Sequence, residues 1–182
     1  MASWFASNCN NAQSRRGELV AQLQTYFEVD IYGDCGNLTC HKNDKKCNNL
    51  HKYWFDFSFE DSICPDYLTE KVYKKMNQNV LLVVFNGAEL NKFLPPHSVI
   101  DANSFKTVDD LANYLIYLTN NPEEYVKFFW WKKFYYTQTS AKLNYHKICS
   151  AINKSSSKDT RKSYKNMTAW FFEGCTRPKI KF

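Results

Sequence analysis

An α/β fold, with a parallel sheet covered by helices on both faces, is what this sequence predicts. Three observations predict it. Segments of strand and helix character alternate along most of the chain, as in βαβ units. One of them, VLLVVF at 80–85, is apolar without a break, as a parallel strand buried on both faces must be. Finally, 44% hydrophobic residues in a chain of 182, with 14 Phe, 12 Tyr and 5 Trp, supply enough apolar area for a sizeable core and exclude a chain disordered throughout.

The elements follow in order. SWFAS (3–7) reads as a strand, and Ser14 starts a helix whose Leu19, Val20, Leu23 and Phe27 form one apolar face. VDIYG (29–33) is the second strand, followed by a loop rich in Cys, Asn and Lys. YWFDFSFE (53–60) puts Phe55, Phe57 and Phe59 on one side of a third strand, with a helix from about Asp66. After VLLVVF, the Pro95-Pro96 break leads to a short strand, SVID (98–101). Thr107 caps a helix with Leu111, Tyr114, Leu115 and Leu118 inward, and Asn121-Pro122-Glu123-Glu124 gives cap, proline and acid in helix-starting order. The run KSSSKDTRKSYK (154–165) reads as a basic, flexible linker before an aromatic tail, AWFFEGC. The expected organisation is therefore a binding domain over 1–153 and a linker with tail over 154–182.

Lysines and arginines outnumber acids by 24 to 18, a formal charge of +6 that suits an anionic partner: nucleotide, nucleic acid or acidic glycan. RNA binding is disfavoured because the aromatics read as periodic core rather than as a stacking surface. Seven cysteines and three N-x-S/T sequons, at Asn37, Asn153 and Asn166, favour an oxidising, secretory compartment. Chance sequons in an Asn-rich chain and buried free cysteines are the alternative. Cys40 and Cys47 flank a single His at a spacing unlike zinc sites, which favours a local disulfide or longer-range pairing over a metal. Cys149 or Cys175 is expected to join a bridge that holds the tail, which is too short to stay docked unaided. No apolar run is long enough to cross a bilayer, and MASWFASNCNN lacks a basic start with an apolar core, so the chain is expected to carry no targeting signal of its own.

Parallel sheets bind ligands outside the carboxyl ends of their strands, and FSFEDSICPDYLTEK (57–71) lies at such an end. A helix from Asp66 would set Tyr67, Glu70 and Lys71 on one face near its start, offering phenol, carboxylate and ammonium to one ligand. A sugar nucleotide needs that mixture: hydroxyl acceptors for ribose and cations for pyrophosphate. A solvated Glu and Lys pair is the alternative. Arg16 falls in the first turn of the first helix, where the helix dipole disfavours a cation unless an anion is present. Its alternative is a surface arginine beside an exposed Arg15.

FSFEDSICPDYLTEK closely resembles the donor-site motif F-x-F-E-N-S-x-x-x-D-Y-x-T-E-K of the alpha-1,3-fucosyltransferases, glycosyltransferase family ten. SNCNNAQSRRGELVAQLQTY resembles that family's S-N-C-x-x-x-x-x-R-E-x-x-V-x-x-L, and VDIYGDCG its V-D-x-Y-G-x-C-G. VLLVVFNGAELNKFLPPHSVID is similar to V-x-P-V-V-x-G-x-x-x-Y-x-x-x-x-P-P-x-S-x-I-D. The resemblance implies a GT-B fold of two Rossmann-like domains, of which this chain would be the C-terminal, GDP-fucose-binding half. It implies inverting, metal-independent transfer of fucose to the 3-hydroxyl of N-acetylglucosamine or glucose in a glycan or glycoprotein. It also implies action on the lumenal side of the Golgi membrane, through an anchor N-terminal to these residues. By position, Lys71 and Arg16 would hold the pyrophosphate and Glu70 the ribose, Tyr67 would line the donor, and Glu60 would shape the same pocket.

Four departures stand out: Asp61 for the motif's Asn, Leu82 for its Pro, Asn86 for its Gly, and Gly17 where Glu follows the arginine. Asp61 would set an anion near a pyrophosphate. The catalytic base is expected in the N-terminal half, because His51, His97 and His146 read as exposed or core residues. The chain alone is therefore expected not to transfer fucose. A catalytically inactive nucleotide-binding or interaction remnant of the family is the competing reading.

Overall fold

A computed structural model describes residues 1–9, 12–40, 50–137, 145–155 and 163–182. The unbroken apolar run becomes strand β4 (Leu81–Phe85), buried at every position. With β1 (Ala2–Phe5), β2 (Val29–Tyr32), β3 (Phe55–Phe59) and β5 (Ile100–Asp101) it forms a parallel five-stranded sheet in the order β2-β1-β3-β4-β5 among the described residues. The chain builds outward from β1 to β2, then in the opposite direction from β3 to β5. The order thus reverses between β1 and β3, and a ligand crevice belongs outside the carboxyl ends of those two strands.

Side-chain alternation sorts the core into two layers. Phe55, Phe57 and Phe59 of β3 and Leu81, Val83 and Phe85 of β4 face one side. There they meet Leu19, Val20 and Leu23 of α1 (Arg16–Leu23) and Leu111, Leu115 and Leu118 of α3 (Val108–Asn120). Leu82 and Val84 face the other side and meet Val72 and Met76 of α2 (Glu70–Met76), with Trp131 and Leu50. Each fully buried Phe or Leu stabilises the fold by about 1.5–3 kcal/mol relative to exposure. The second face of β3 also carries Asp56, which is fully buried. Its carboxylate accepts a hydrogen bond from the Ser3 hydroxyl at 2.8 Å and pairs with Lys75, whose ammonium lies 4.9 Å from the Phe5 ring centre. Lys75 thereby compensates a charge whose burial would otherwise be costly, and ties α2 to β1 and β3.

Thr107 caps α3 in a full capping box with Asp110, and Pro122 opens α4 (Pro122–Lys127). Tyr125 of α4 donates its hydroxyl to Trp54 O at 2.7 Å and accepts from Leu81 N at 3.2 Å, fixing the starts of β3 and β4. Burial pushes this phenol up to about 12.

The compact units divide differently from the expected boundary at 153. One unit contains residues 1–137 and 174–182, the other 138–173. Position 153 falls inside α5 (Tyr145–Ser155), and most of the expected linker, 156–162, lies outside the described residues. In the smaller unit, the Asn166 side chain caps α6 (Met167–Phe172) by accepting from Ala169 N at 2.9 Å, and Tyr164 packs on Trp170 with ring centres 4.8 Å apart.

Residues 174–182 are part of the main unit rather than a separate tail. Cys175 is bridged to Cys64, Thr176 N donates to Ile63 O at 2.8 Å, Lys181 bridges to Thr107, and Ile180 enters the core. A second disulfide, Cys9–Cys35, joins the loops after β1 and β2. Cys149 is exposed and unbridged among the described residues, while Cys47, and with it the Cys40–Cys47 pairing, lies outside them. Not every aromatic is core: Phe134 and Tyr136 are 73% and 86% exposed, since they follow the last turn that packs on the sheet.

The Cys64–Cys175 bridge spans 111 residues of sequence. Replacing both cysteines with serine should lower unfolding stability by about 2–5 kcal/mol. Urea denaturation checks this, and an unchanged midpoint would show that the returning segment holds by packing alone.

Candidate functional site

The crevice between β1 and β3 is built around a buried arginine. The peptide groups at the strand ends have carbonyls with no further strand partner, and Arg16, 2% exposed, fills that need. Its guanidinium donates to Phe59 O at 2.7 Å and Asn8 O at 3.1 Å, lies 5.8 Å from the Trp4 ring centre, and pairs with Asp61. Ser14 adds two links to the same loop, its N–H to Asp61 O at 2.9 Å and its hydroxyl to Glu60 O at 2.7 Å. Ser14 therefore does not cap α1. Arg15, in a left-handed conformation, occupies that position and pairs with Glu18.

Glu60 is the second organiser. It is 1% exposed, and its Oε1 accepts from both Thr69 N at 2.9 Å and the Thr69 hydroxyl at 2.7 Å. Its Oε2 has no partner among the described residues. This carboxylate explains where α2 begins. Asp66 takes a left-handed φ of 57°, and Thr69 is held extended at φ −90°, ψ 170°, so the helix opens at Glu70 rather than near Asp66.

Tyr67 consequently precedes the helix, and the single face of Tyr67, Glu70 and Lys71 expected from i, i+3, i+4 spacing does not form. Tyr67 is half-buried, and its phenol is held above its ordinary range by burial first and by the charges of Glu60 and Asp61 next. Glu70 is exposed and bridged to Lys74 at 3.2 Å, which draws its carboxyl below the usual range. Lys71 is exposed and has no hydrogen bond or ion pair among the described residues.

The expected donor residues thus separate into two groups. Arg16 and Glu60 are interior, committed to backbone groups, Asp61 and Thr69; Glu70 and Lys71 are at the surface. Arg16 is the clearest difference from expectation, for its charge is met within the chain by Asp61. That partner was not legible because pairing across 45 residues depends on the β1–β3 register, not on local spacing. Cys9 and Cys35 were also missed, although both follow adjacent strands by a few residues, a signal that the strand order makes readable.

A groove of about 540 Å³ lies between α1 and the β1–β2 side of the sheet, with Trp4, Gly17, Glu18, Gln24 and Cys35 in its walls. This is within the size range of small-molecule sites. The Trp4 Nε1–H is buried there without a partner among the described residues. The turn after β2 is tight: Gly33 has φ 91°, and a Cβ on it would stand 2.6 Å from Ala6 O. The sequon residues Asn37, Asn153 and Asn166 are all exposed. Among the described residues no group of three or more His, Cys, Asp or Glu side chains is arranged to hold a metal ion.

Known proteins resemble this chain in sequence and in fold. The profile of glycosyltransferase family 10 (fucosyltransferase), C-terminal part, matches residues 1–170. Alpha-(1,3)-fucosyltransferase C of Drosophila melanogaster is 38% identical over 176 residues, covering 96% of this chain and 41% of that protein. Alpha-(1,3)-fucosyltransferase fut-1 of Caenorhabditis elegans is 39% identical over 137 residues, covering 74% of this chain and 31% of that protein. The chain therefore spans less than half the length of these relatives. In three dimensions it is similar to an alpha1,3-fucosyltransferase crystallised with GDP-fucose, at a TM-score of 0.66 and 21% identity, over 88% of this chain and 48% of that one. The matched profile, which covers residues 1–170 of the 182, and the 38% identical relative show that this protein belongs to glycosyltransferase family 10, the fucosyltransferases.

Proposed function

We propose that this chain is the GDP-fucose-binding half of an alpha-1,3-fucosyltransferase of GT-B architecture. The observation that carries the reading is the uncommitted Lys71 ammonium at the start of α2, directly beyond the strand-order reversal where parallel sheets take ligands. In this reading Lys71 meets the pyrophosphate, and Glu70, released from Lys74, accepts from ribose. The groove beside Trp4 offers room for the base. Arg16 and Glu60 act indirectly, fixing the loop from which the site is built. The full enzyme would transfer fucose with inversion to a glycan N-acetylglucosamine on the lumenal side of the Golgi membrane. Relatives named as alpha-(1,3)-fucosyltransferases and a neighbouring structure containing GDP-fucose support this reading.

Charge from lysine lets the donor bind without a divalent ion. Calorimetry with GDP and EDTA should give the same affinity as without chelator. Lys71→Ala should weaken binding by on the order of 1.5–3 kcal/mol, the scale of one charge-assisted hydrogen bond. Binding lost to EDTA, or unchanged in the variant, would remove the assignment.

Asp61 gives weight to the second reading, an inactive nucleotide-binding remnant, because it neutralises the buried cation nearest the crevice. Asp61→Asn leaves the buried Arg16 guanidinium without its counter-ion, so it should lower the melting temperature and, by loosening the loop, weaken GDP binding in calorimetry. Tighter GDP binding at an unchanged melting temperature would mean instead that Asp61 acts as an anion near the pyrophosphate.

An inverting displacement also needs an oriented acceptor and a base for its hydroxyl proton. We place that base outside these residues: His51 and His97 are exposed surface residues, and the His146 side chain lies outside the described ones. The purified chain with GDP-fucose and N-acetylglucosamine-containing acceptors should show no turnover. Turnover that disappears in Lys71→Ala would reveal a base within this chain.

A further inference from the structure

Asn37, Leu38 and Thr39 form one of the three N-x-S/T sequons, and the fold presents them differently from the other two. β2 is the outermost strand on its side of the sheet, with β1 as its one neighbouring strand among the described residues. Beyond the turn at Gly33 the chain folds back along the open side of β2. Leu38 N donates to Ile31 O at 3.4 Å, Gly33 N donates to Leu38 O at 3.0 Å, and Leu38 pairs with Tyr32 in a parallel bridge. The turn between them is held tightly: Cys35 is bridged to Cys9, and a Cβ on Gly36 would collide with Ile31 O.

Extended backbone alternates its side chains, so the residues on either side of Leu38 share the face opposite to its own. The exposures follow that alternation. Leu38 is half-buried, while Asn37 and Thr39 are both exposed. The Asn37 amide makes no hydrogen bond or ion pair among the described residues.

The other sequons are placed otherwise. Asn153 lies within α5, and a helical segment must unwind before an asparagine and the residue two places on can share a face. Asn166 is the N-cap of α6, with its side chain accepting from Ala169 N at 2.9 Å. A glycan added before folding persists only where the folded chain leaves room for it, and one added afterwards needs an accessible, extended Asn-x-Thr segment. Asn37 meets both conditions.

We propose that Asn37 carries an N-linked glycan. This rests on the lumenal location proposed above, because the sugar donor, an oligosaccharide joined through diphosphate to a polyprenol, meets protein chains on the lumenal side of the secretory pathway. The Asn37 Nδ2 bonds to the anomeric carbon of the first sugar and gives up one proton. The bond from that carbon to the diphosphate oxygen breaks, and the lipid diphosphate leaves with the electron pair, so nothing is oxidised or reduced. The glycan then stands on the outer side of β2, where an edge strand otherwise offers backbone groups to a second sheet. A bulky, hydrated chain there opposes edge-to-edge association.

The test directs the whole chain into the secretory pathway of a eukaryotic cell with an added cleavable signal. The product is treated with an amidase that removes N-glycans and converts each glycosylated asparagine to aspartate. Peptide mass mapping should find that conversion at Asn37 in most molecules and at Asn153 and Asn166 in few. Thr39→Ala should abolish it at Asn37 and Thr39→Ser should keep it, which separates loss of the sequon from loss of the fold. An unmodified Asn37, or equal occupancy at all three positions, would overturn the assignment. Size-exclusion chromatography should show a larger oligomeric fraction for Thr39→Ala than for Thr39→Ser, and equal fractions would overturn the protective role at the sheet edge. The full-length protein from its own cells decides the location separately. Conversion at Asn37 there supports site and location together, whereas none there, after conversion in the signal-directed chain, overturns the lumenal reading.

Discussion

A single buried guanidinium clamps the loops that follow β1 and β3. The strand ladder sets the register of β1 and β3 from Ala2–Phe55 to Trp4–Phe57, but the strand order reverses there and the chain diverges beyond it, so a side chain must hold the loops past the two carboxyl ends together. Arg16 does so by taking one carbonyl from each side, Asn8 O and Phe59 O, while Asp61 balances its charge. A charge this deeply buried is tolerable only when paired and hydrogen-bonded. Its geometry then limits the positions open to Ser14, Glu60 and, through Glu60, Thr69. The start of α2, and so the direction in which Lys71 leaves the surface, is the last member of this chain of constraints.

That dependence explains what could be read from residues alone. The strands were legible because each carries its own signal: unbroken apolar character in 81–85, alternation in 55–59, with the three phenylalanines on one face. Thr107 and Pro122 were legible as helix starts because caps act within one turn. The start of α2 was not, because a carboxylate nine residues upstream competes for Thr69 N–H, and because Asp66 adopts a conformation that few residues other than glycine enter. Arg16 looked like a ligand-seeking cation for a related reason. Its misfit at a helix start was real, but the anion that relieves it is Asp61, supplied by another strand's loop.

The two buried ion pairs divide the work of the sheet. Asp56 with Lys75 fastens α2 to the middle of β3, and Arg16 with Asp61 fastens α1 to its end. Each crosses from one strand to a helix that covers a different face, since α1 packs with the phenylalanine layer and α2 with the Leu82 and Val84 layer. The polar positions of β3 and its following loop are thus as specific in placing helices as the apolar positions are in filling the core. The Ser3 hydroxyl on Asp56 extends that specificity to the neighbouring strand.

The return of residues 174–182 to the main unit makes 138–173 an insertion within a closed covalent circuit. Two points of the main unit, Cys64 and Cys175, are joined through sulfur as well as through the intervening chain. A protease that cut once within 138–173 would therefore release nothing: the fragments would migrate as one molecule until reduced. Changes of length in that insertion need not disturb the sheet either, since the segment leaves and re-enters a unit whose ends are already tied together. The disulfide thus makes the covalent link between the two ends of the main unit independent of the segment 138–173.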